Sequence, residues 1–196
     1  MRRTGSVLLA AGFLLAASAF AGDADAQQVR IETTLGNITL KLDHARAPVT
    51  VDNFLRYVRE GHFNHTVVYR VVPGFVIQAG SYGAEGEAKA VRAPIVLESG
   101  NGLKNLRGSV AMARSGEPAS ATAEFFIDLA DNPALDAAPD AAPRTTGYAV
   151  FGQVTSGMAV ADRIASVPTG GKGPFPGAAP TTPVMIEKAT IINAEP

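Results

Sequence analysis

The chain has 196 residues, with 17 basic and 18 acidic side chains and no cysteine. A net charge of −1 argues against nucleic acid or an anionic membrane as the main partner, because both are held chiefly by excess positive charge. The absence of cysteine excludes thiol catalysis, disulfides and cysteine-based metal sites, and the length suits one domain with a substantial hydrophobic core.

Residues 1–26 have the pattern of a secretory signal peptide. Two arginines follow the first Met, an apolar stretch runs from 7 to 17, and small residues come next. The apolar stretch is shorter than the ~20 residues that a bilayer span requires. We expect cleavage after Ala26, with Ala21 as the alternative. The mature domain, 27–196, is then expected in a bacterial periplasm, without membrane attachment.

The remaining sequence predicts mainly strands. Alternating apolar and polar residues about Gly36 predict a hairpin of 29–35 and 37–42. Apolar residues at helical spacing predict a helix over 48–60 that ends at Gly61, and a second helix over 158–165. Further strands are predicted at 66–72, 75–78, 95–97, 109–113, 125–129, 148–154, 184–186 and 189–192.

Four connections rich in Gly, Pro and Ala separate these elements, at 81–93, 115–123, 131–146 and 168–183. Strands at both ends of the chain favour a closed barrel, because closure leaves no exposed sheet edge. The pattern by itself also allows a β-sandwich.

The segment 69–80, YRVVPGFVIQAG, places one guanidinium, Arg70, and one amide, Gln78, among apolar residues around a Pro-Gly turn. Desolvating a charge without partners is costly, so a charge at Arg70 among apolar residues indicates a specific role for this side chain. A second apolar run, EFFI at 124–127, again has a single polar side chain beside aromatic residues. Together the two runs predict a shallow apolar pocket with Arg70 at its edge.

YRVVPGFVIQAG resembles the signature of cyclophilins, the peptidyl-prolyl cis-trans isomerases. Three further segments agree in order and spacing: VDNF at 51–54, GSVAMA at 108–113 and GYAVFG at 147–152. The resemblance extends from about residue 29 to residue 192. It implies a mainly β fold, a closed eight-stranded antiparallel β-barrel capped by two α-helices, one at each end.

The chemistry implied by this resemblance requires no cofactor, metal or nucleophile. An X-Pro amide rotates slowly because its nitrogen lone pair is delocalised into the carbonyl. A fixed N–H donor aimed at the prolyl nitrogen favours the twisted state, and Arg supplies such donors without deprotonating. The resemblance assigns this role to Arg70, and it assigns Gln78 to binding the substrate backbone and steadying Arg70.

The resemblance also assigns the other residues that bind substrate. Proline-pocket positions are Phe75, Val76, Phe126 and Leu135, and Ala113 supplies a backbone contact at the cleft wall. Because neighbouring residues on a strand face opposite sides, we assign Phe126 to the pocket and Phe125 to the interior.

Several binding positions depart from the common cyclophilin pattern, including Val76, where many members carry Met. Tyr69 and Tyr148 stand where many members have His, and Glu124 replaces a usual Gln. Both tyrosines keep a flat ring and a donor. A carboxylate at Glu124 is expected to pair with Arg70, holding it in place while competing with substrate, so that Glu124→Gln raises turnover.

Other signals point to no second chemistry. His62 and His65 form an H-x-x-H pair without a third ligand, and we interpret both as surface histidines.

The expected partners are proline-containing unfolded or flexible polypeptides, and the expected state is a monomer. Two alternatives stay open: a proline-segment binding chaperone or adaptor with weak catalysis, and a structural barrel of an assembly.

Overall fold

A computed structural model describes residues 27–138, 146–171 and 174–192. The predicted signal peptide, with its candidate cleavage sites after Ala21 and Ala26, lies outside the described residues, as do residues 139–145 of the third connection. Within the described residues, no helix combines the length and the apolar character needed to cross a membrane.

Eight antiparallel strands close into a barrel, in the order β1-β2-β7-β5-β6-β4-β3-β8. The strands are β1 Gln28–Thr33, β2 Gly36–Leu42, β3 Thr66–Val72, β4 Val76–Gly83, β5 Ser109–Met112, β6 Phe125–Asp128, β7 Val150–Ser156 and β8 Met185–Ile192. β8 pairs with β1 on one side and with β3 on the other, so the last strand closes the sheet. The predicted closed eight-stranded barrel is confirmed.

The two helices occupy opposite ends of the barrel. α1, Pro48–Arg59, follows β2 at Leu42, whereas α2, Met158–Ala165, packs near the β1–β2 turn, where Arg163 donates to the Leu35 carbonyl. α1 begins with Pro at its first turn, a position where the missing N–H is not needed. Two of its free N-terminal amides donate to the carboxylate of Glu98, a residue distant along the sequence.

The barrel interior is filled by aliphatic and aromatic side chains. Phe54 from α1 contacts the rings of Phe63, Phe125 and Phe151 at centroid distances of 5.1, 5.4 and 5.0 Å. Ile164 of α2 belongs to the same core. A smaller apolar cluster lies apart from this core, built on Val76, Ala111, Phe126 and Val150. This second cluster forms the floor of the cleft described below.

Apart from shifts of one or two residues at the ends of elements, three sequence predictions differ from the structure. The predicted strand 95–97 contributes only one isolated bridge, Ile95 to Ala121, and Val96 is 60% exposed. A single bridge does not build a strand ladder, so this segment remains a connection. The predicted strand 75–78 extends to Gly83 in β4, and the two C-terminal runs form a single strand, β8.

Candidate active site

The β3–β4 hairpin brings Arg70 and Gln78 together. A tight turn at Pro73 and Gly74 reverses the chain, and Gly74 takes a left-handed φ of 72°, which favours glycine. Arg70 and Gln78 are therefore direct cross-strand partners. Arg70 Nη1 donates to Gln78 Oε1 at 3.2 Å, so the amide oxygen holds one arm of the guanidinium.

A cleft of ≈ 280 Å³ opens beside this pair. It is lined by Arg70, Phe75, Val76, Gln78, Ala113, Arg114, Phe126, Leu135, Tyr148 and Phe175. The β4–β6 pairing places Phe126 opposite Gln78, which joins the polar pair to the apolar floor. Eight of the ten site residues expected from the sequence line this cleft; Tyr69 and Glu124 do not.

The floor of the cleft is apolar and closely packed. Val76 and Phe126 are almost fully buried, and the Tyr148 ring meets Phe126 edge-on with centroids 5.4 Å apart. Alternation along β6 places Phe125 in the barrel core and Phe126 at the cleft. Leu135, on a single 3-10 turn, Pro133–Leu135, packs against the same cluster.

Tyr69 and Glu124 lie behind Gln78 rather than at the cleft surface. The Tyr69 hydroxyl donates to Glu124 Oε2, and Gln78 Nε2 donates to the same carboxylate oxygen at 3.0 Å and to the Tyr69 hydroxyl. The expected ion pair between Glu124 and Arg70 is wrong: among the described residues these two groups form none, because the Gln78 amide lies between them. The carboxylate therefore has no direct route to compete with substrate for Arg70.

Partial burial shifts the pKa values of Glu124 and Tyr69. Burial raises the pKa of Glu124, while the hydrogen bonds from Tyr69 and Gln78 oppose that rise. Burial, together with the charge of the Glu124 carboxylate, raises the pKa of Tyr69. Tyr69 consequently keeps its proton and acts as a donor at neutral pH.

Two cleft residues were missed by the sequence reasoning. The Phe175 ring lies 5.7 Å from Arg70 Cζ, stacks on Tyr69 at 5.9 Å, and is 46% exposed. A single large aromatic residue in a connection rich in Gly and Pro is a sequence feature that could have predicted a role for Phe175 at the cleft. Arg114 lies over Tyr148 at 4.9 Å and donates to the Gly147 carbonyl at 2.8 Å, a placement that depends on tertiary contacts.

The histidine pair lies away from the cleft. His65 is exposed, but His62 is half-buried, packs on Tyr57 and contacts the Gly80 carbonyl oxygen through Nε2 at 2.9 Å. The prediction of two surface histidines is therefore wrong for His62, whose pKa is lowered by burial. Across the described ranges, no three His, Cys, Asp or Glu side chains are grouped to hold a metal ion.

Comparisons with known proteins agree with this geometry. Residues 28–191 match the family model described as cyclophilin type peptidyl-prolyl cis-trans isomerase/CLD. The chain is 46% identical over 165 residues to peptidyl-prolyl cis-trans isomerase A of Dickeya dadantii, covering 84% of each chain. It is 44% identical to peptidyl-prolyl cis-trans isomerase B of Escherichia coli, over 83% of this chain and 98% of that protein.

A solved structure shows the same architecture. A cyclophilin type peptidyl-prolyl cis-trans isomerase of Cryptosporidium parvum, determined in the presence of the dipeptide Ala-Pro, matches with a TM-score of 0.70. That match has 25% identity and covers 85% of this chain and 99% of the other.

The fold is a closed barrel that carries an Arg–Gln pair at the edge of an external apolar cleft. The family match covers nearly all of the described chain. The chain therefore belongs to the cyclophilin-type peptidyl-prolyl cis-trans isomerases and is an enzyme of the rotamase class.

Proposed function

We propose that this cleft isomerises X-Pro bonds in exported, unfolded or flexible polypeptides and thereby assists their folding. The observation that carries the proposal is the Arg70 guanidinium, held at the edge of an apolar cleft of ≈ 280 Å³. In this reading the enzyme is a monomer that works in the periplasm, binds proline-containing segments and uses no cofactor.

The reaction is a rotation, so the protein has only to favour the twisted amide over the planar one. The barrier to rotation is about 18–20 kcal/mol because the nitrogen lone pair is shared with the carbonyl. In the twisted state the prolyl nitrogen regains its lone pair and becomes a hydrogen-bond acceptor. A donor that meets this nitrogen only in the twisted state lowers the barrier selectively.

Arg70 has the donors for this role. The guanidinium carries five N–H groups and never deprotonates in a protein. One of its nitrogens is engaged by Gln78 Oε1, which leaves the remaining donors for substrate. The rings of Phe75 and Phe175 lie 5.8 and 5.7 Å from Arg70 Cζ and limit where the guanidinium can move.

The apolar floor supplies binding and orientation. Val76, Phe126 and Leu135 offer a surface for the pyrrolidine ring, and desolvation there strengthens hydrogen bonds at the cleft edge. A docked proline places its nitrogen near the Arg70 edge of the cleft. Binding of the proline ring thereby aligns the reacting amide with Arg70.

Two features support export and a role in folding. The sequence of residues 1–26 has the charged start, apolar stretch and small-residue end of a signal peptide. Uncatalysed prolyl isomerisation takes about 10–100 s, slow enough to limit folding of a polypeptide outside the cytoplasm. Mass spectrometry of the protein recovered from the periplasmic fraction tests both points, with an N-terminus at Gln27, or at Gly22, as the expected result. An intact N-terminus in the cytoplasmic fraction contradicts export.

The catalytic role is tested with an Ala-Pro peptide by NMR exchange spectroscopy. Loss of one aligned donor to a developing charge costs about 100-fold or more in rate, so Arg70→Ala should lower kcat/KM by that factor while peptide affinity changes little. Arg30→Ala, an exposed cation on β1, is the matched control and should behave as wild type.

The same measurement separates the alternatives. Equal and negligible exchange rates for wild type and Arg70→Ala, with peptide binding kept, identify a binding module. Absence of both exchange and binding identifies a structural barrel. Either outcome rejects the proposed enzyme function for this cleft.

A further inference from the structure

We propose that Glu124, together with Tyr69, determines which way the Gln78 amide faces and so holds Arg70 in its working position. Glu124 is in this sense a positioning residue, since it does not line the cleft. The inference rests on the proposed role of Arg70 as the donor to the prolyl nitrogen.

The two ends of the Gln78 amide face chemically opposite partners. Its oxygen accepts from Arg70 Nη1 at 3.2 Å, and its nitrogen donates to Glu124 Oε2 at 3.0 Å. An ionised carboxylate can only accept hydrogen bonds, and a guanidinium can only donate them. A flipped amide would therefore place NH2 against NH2 on one side and oxygen against oxygen on the other. The carboxylate allows a single orientation of Gln78.

Tyr69 completes this arrangement. Its one hydroxyl proton is donated to the Glu124 carboxylate, so its oxygen accepts from Gln78 Nε2. Tyr69 is only 2% exposed, so its hydroxyl has its partners within the protein, whereas Glu124 and Gln78 are half-buried. The donor and acceptor roles are consequently fixed: Tyr69 and Gln78 donate to Glu124, and Arg70 donates to Gln78.

A carboxylate differs here from the Gln that the cyclophilin pattern usually carries. A Gln side chain presents both a donor and an acceptor, so it satisfies Gln78 in either orientation. In this chain the combination of Tyr69 and Glu124 removes that ambiguity. The two departures from the common pattern therefore have one function: Tyr69 and Glu124 together fix the orientation of the Gln78 amide.

The arrangement depends on the charge of Glu124. A protonated Glu124 can donate to the oxygen of a flipped Gln78, which turns the Gln78 NH2 group towards Arg70 and releases the guanidinium. The groups that face the carboxylate are Tyr69 from β3 and Gln78 and Tyr82 from β4; within the described ranges no cation forms an ion pair with it. Burial raises the pKa of Glu124, so activity should decline as pH falls through a value above the ordinary 4.5.

The test is the pH dependence of kcat/KM in wild type, Glu124→Gln and Tyr69→Phe. Glu124→Gln should lower kcat/KM at pH 7 by about tenfold, because Arg70 is less well aligned, and should abolish the decline in acid. Tyr69→Phe removes a donor that stabilises the carboxylate, so its acid decline should move to higher pH. Glu117→Gln, at an exposed carboxylate in the β5–β6 connection, is the control and should keep the wild-type profile.

Two results would overturn the inference: a Glu124→Gln profile that matches wild type in rate and acid decline, or a rate above wild type at pH 7. The side-chain NH2 signals of Gln78 give an independent readout in the wild-type protein, and they must shift with the same midpoint as the activity. This second measurement decides the matter even if a variant fails to fold. Activity lost in Arg70→Ala but unchanged in Glu124→Gln rejects only the positioning role, whereas full activity in Arg70→Ala rejects the proposed function itself.

Discussion

Asp128 is a fully buried carboxyl group at the end of β6, with 0% of its surface exposed. Its Oδ1 accepts from Asn132 Nδ2 at 2.7 Å, while Oδ2 has no hydrogen-bond partner among the described residues. Burial raises its pKa to about 7; the hydrogen bond from Asn132 opposes this rise, and the carboxylates of Asp136 and Asp131 add to it. The group is therefore expected to be neutral in the folded state over much of the acid range.

This pKa makes stability depend on pH in a defined direction. Because the folded pKa lies above the unfolded one, the stabilising contribution is complete below about pH 4 and is lost as pH rises towards 7. A change of pKa from 3.8 to about 7 corresponds to roughly 4 kcal/mol between the two protonation states. We expect a loss of about 2–4 kcal/mol from this one group across that interval.

Asp128→Asn removes the titration and keeps the shape of the side chain. Urea unfolding at half-unit steps from pH 4 to pH 7.5 should show that the variant lacks the decline attributed to this group. Glu187→Gln, at an exposed carboxylate on β8, is the control and should follow wild type. If Asp128→Asn and wild type differ by a constant free energy at every pH, the assigned pKa and the reasoning behind it are wrong.

Two further substitutions test contacts that only the folded structure reveals. Phe175→Ala removes a ring that lies 5.7 Å from Arg70 Cζ, and because an exposed cation–π contact contributes ~0.5–1 kcal/mol, we expect about a two- to fivefold fall in kcat/KM by NMR exchange. Glu98→Ala removes the acceptor for the Val49 and Thr50 amides at the start of α1, and we expect ~1–2 kcal/mol less free energy of unfolding in urea.

Each of these substitutions has a matched control. Val96→Ala truncates an exposed apolar side chain on another connection and should leave exchange unchanged. Glu85→Ala removes an exposed carboxylate and should leave stability unchanged. An unaltered rate in Phe175→Ala would show that the ring does not restrain Arg70, and wild-type stability in Glu98→Ala would show that water caps α1 equally well.

Several elements were predictable because their cause is local. The Pro-Gly turn and the β-branched runs around it predicted the hairpin that pairs Arg70 with Gln78, and strand alternation separated Phe125 from Phe126. Strand 95–97 was predicted from the same local pattern and is absent. Whether an apolar run becomes a strand depends on a neighbour with free backbone groups, and that neighbour is decided by the whole barrel.

The sequence pattern determined a mainly β fold, and its resemblance to a known family predicted the closed barrel and four cleft residues of the signature segment, Arg70, Phe75, Val76 and Gln78. Tertiary structure decided what Glu124 contacts: Gln78 and Tyr69 rather than Arg70. It also decided that Phe175, distant along the chain, lies beside Arg70. The physical reason is that turns, alternation and helical spacing depend on neighbouring residues. Partner choice among partly buried polar groups depends instead on which donors and acceptors the closed barrel brings within hydrogen-bonding distance.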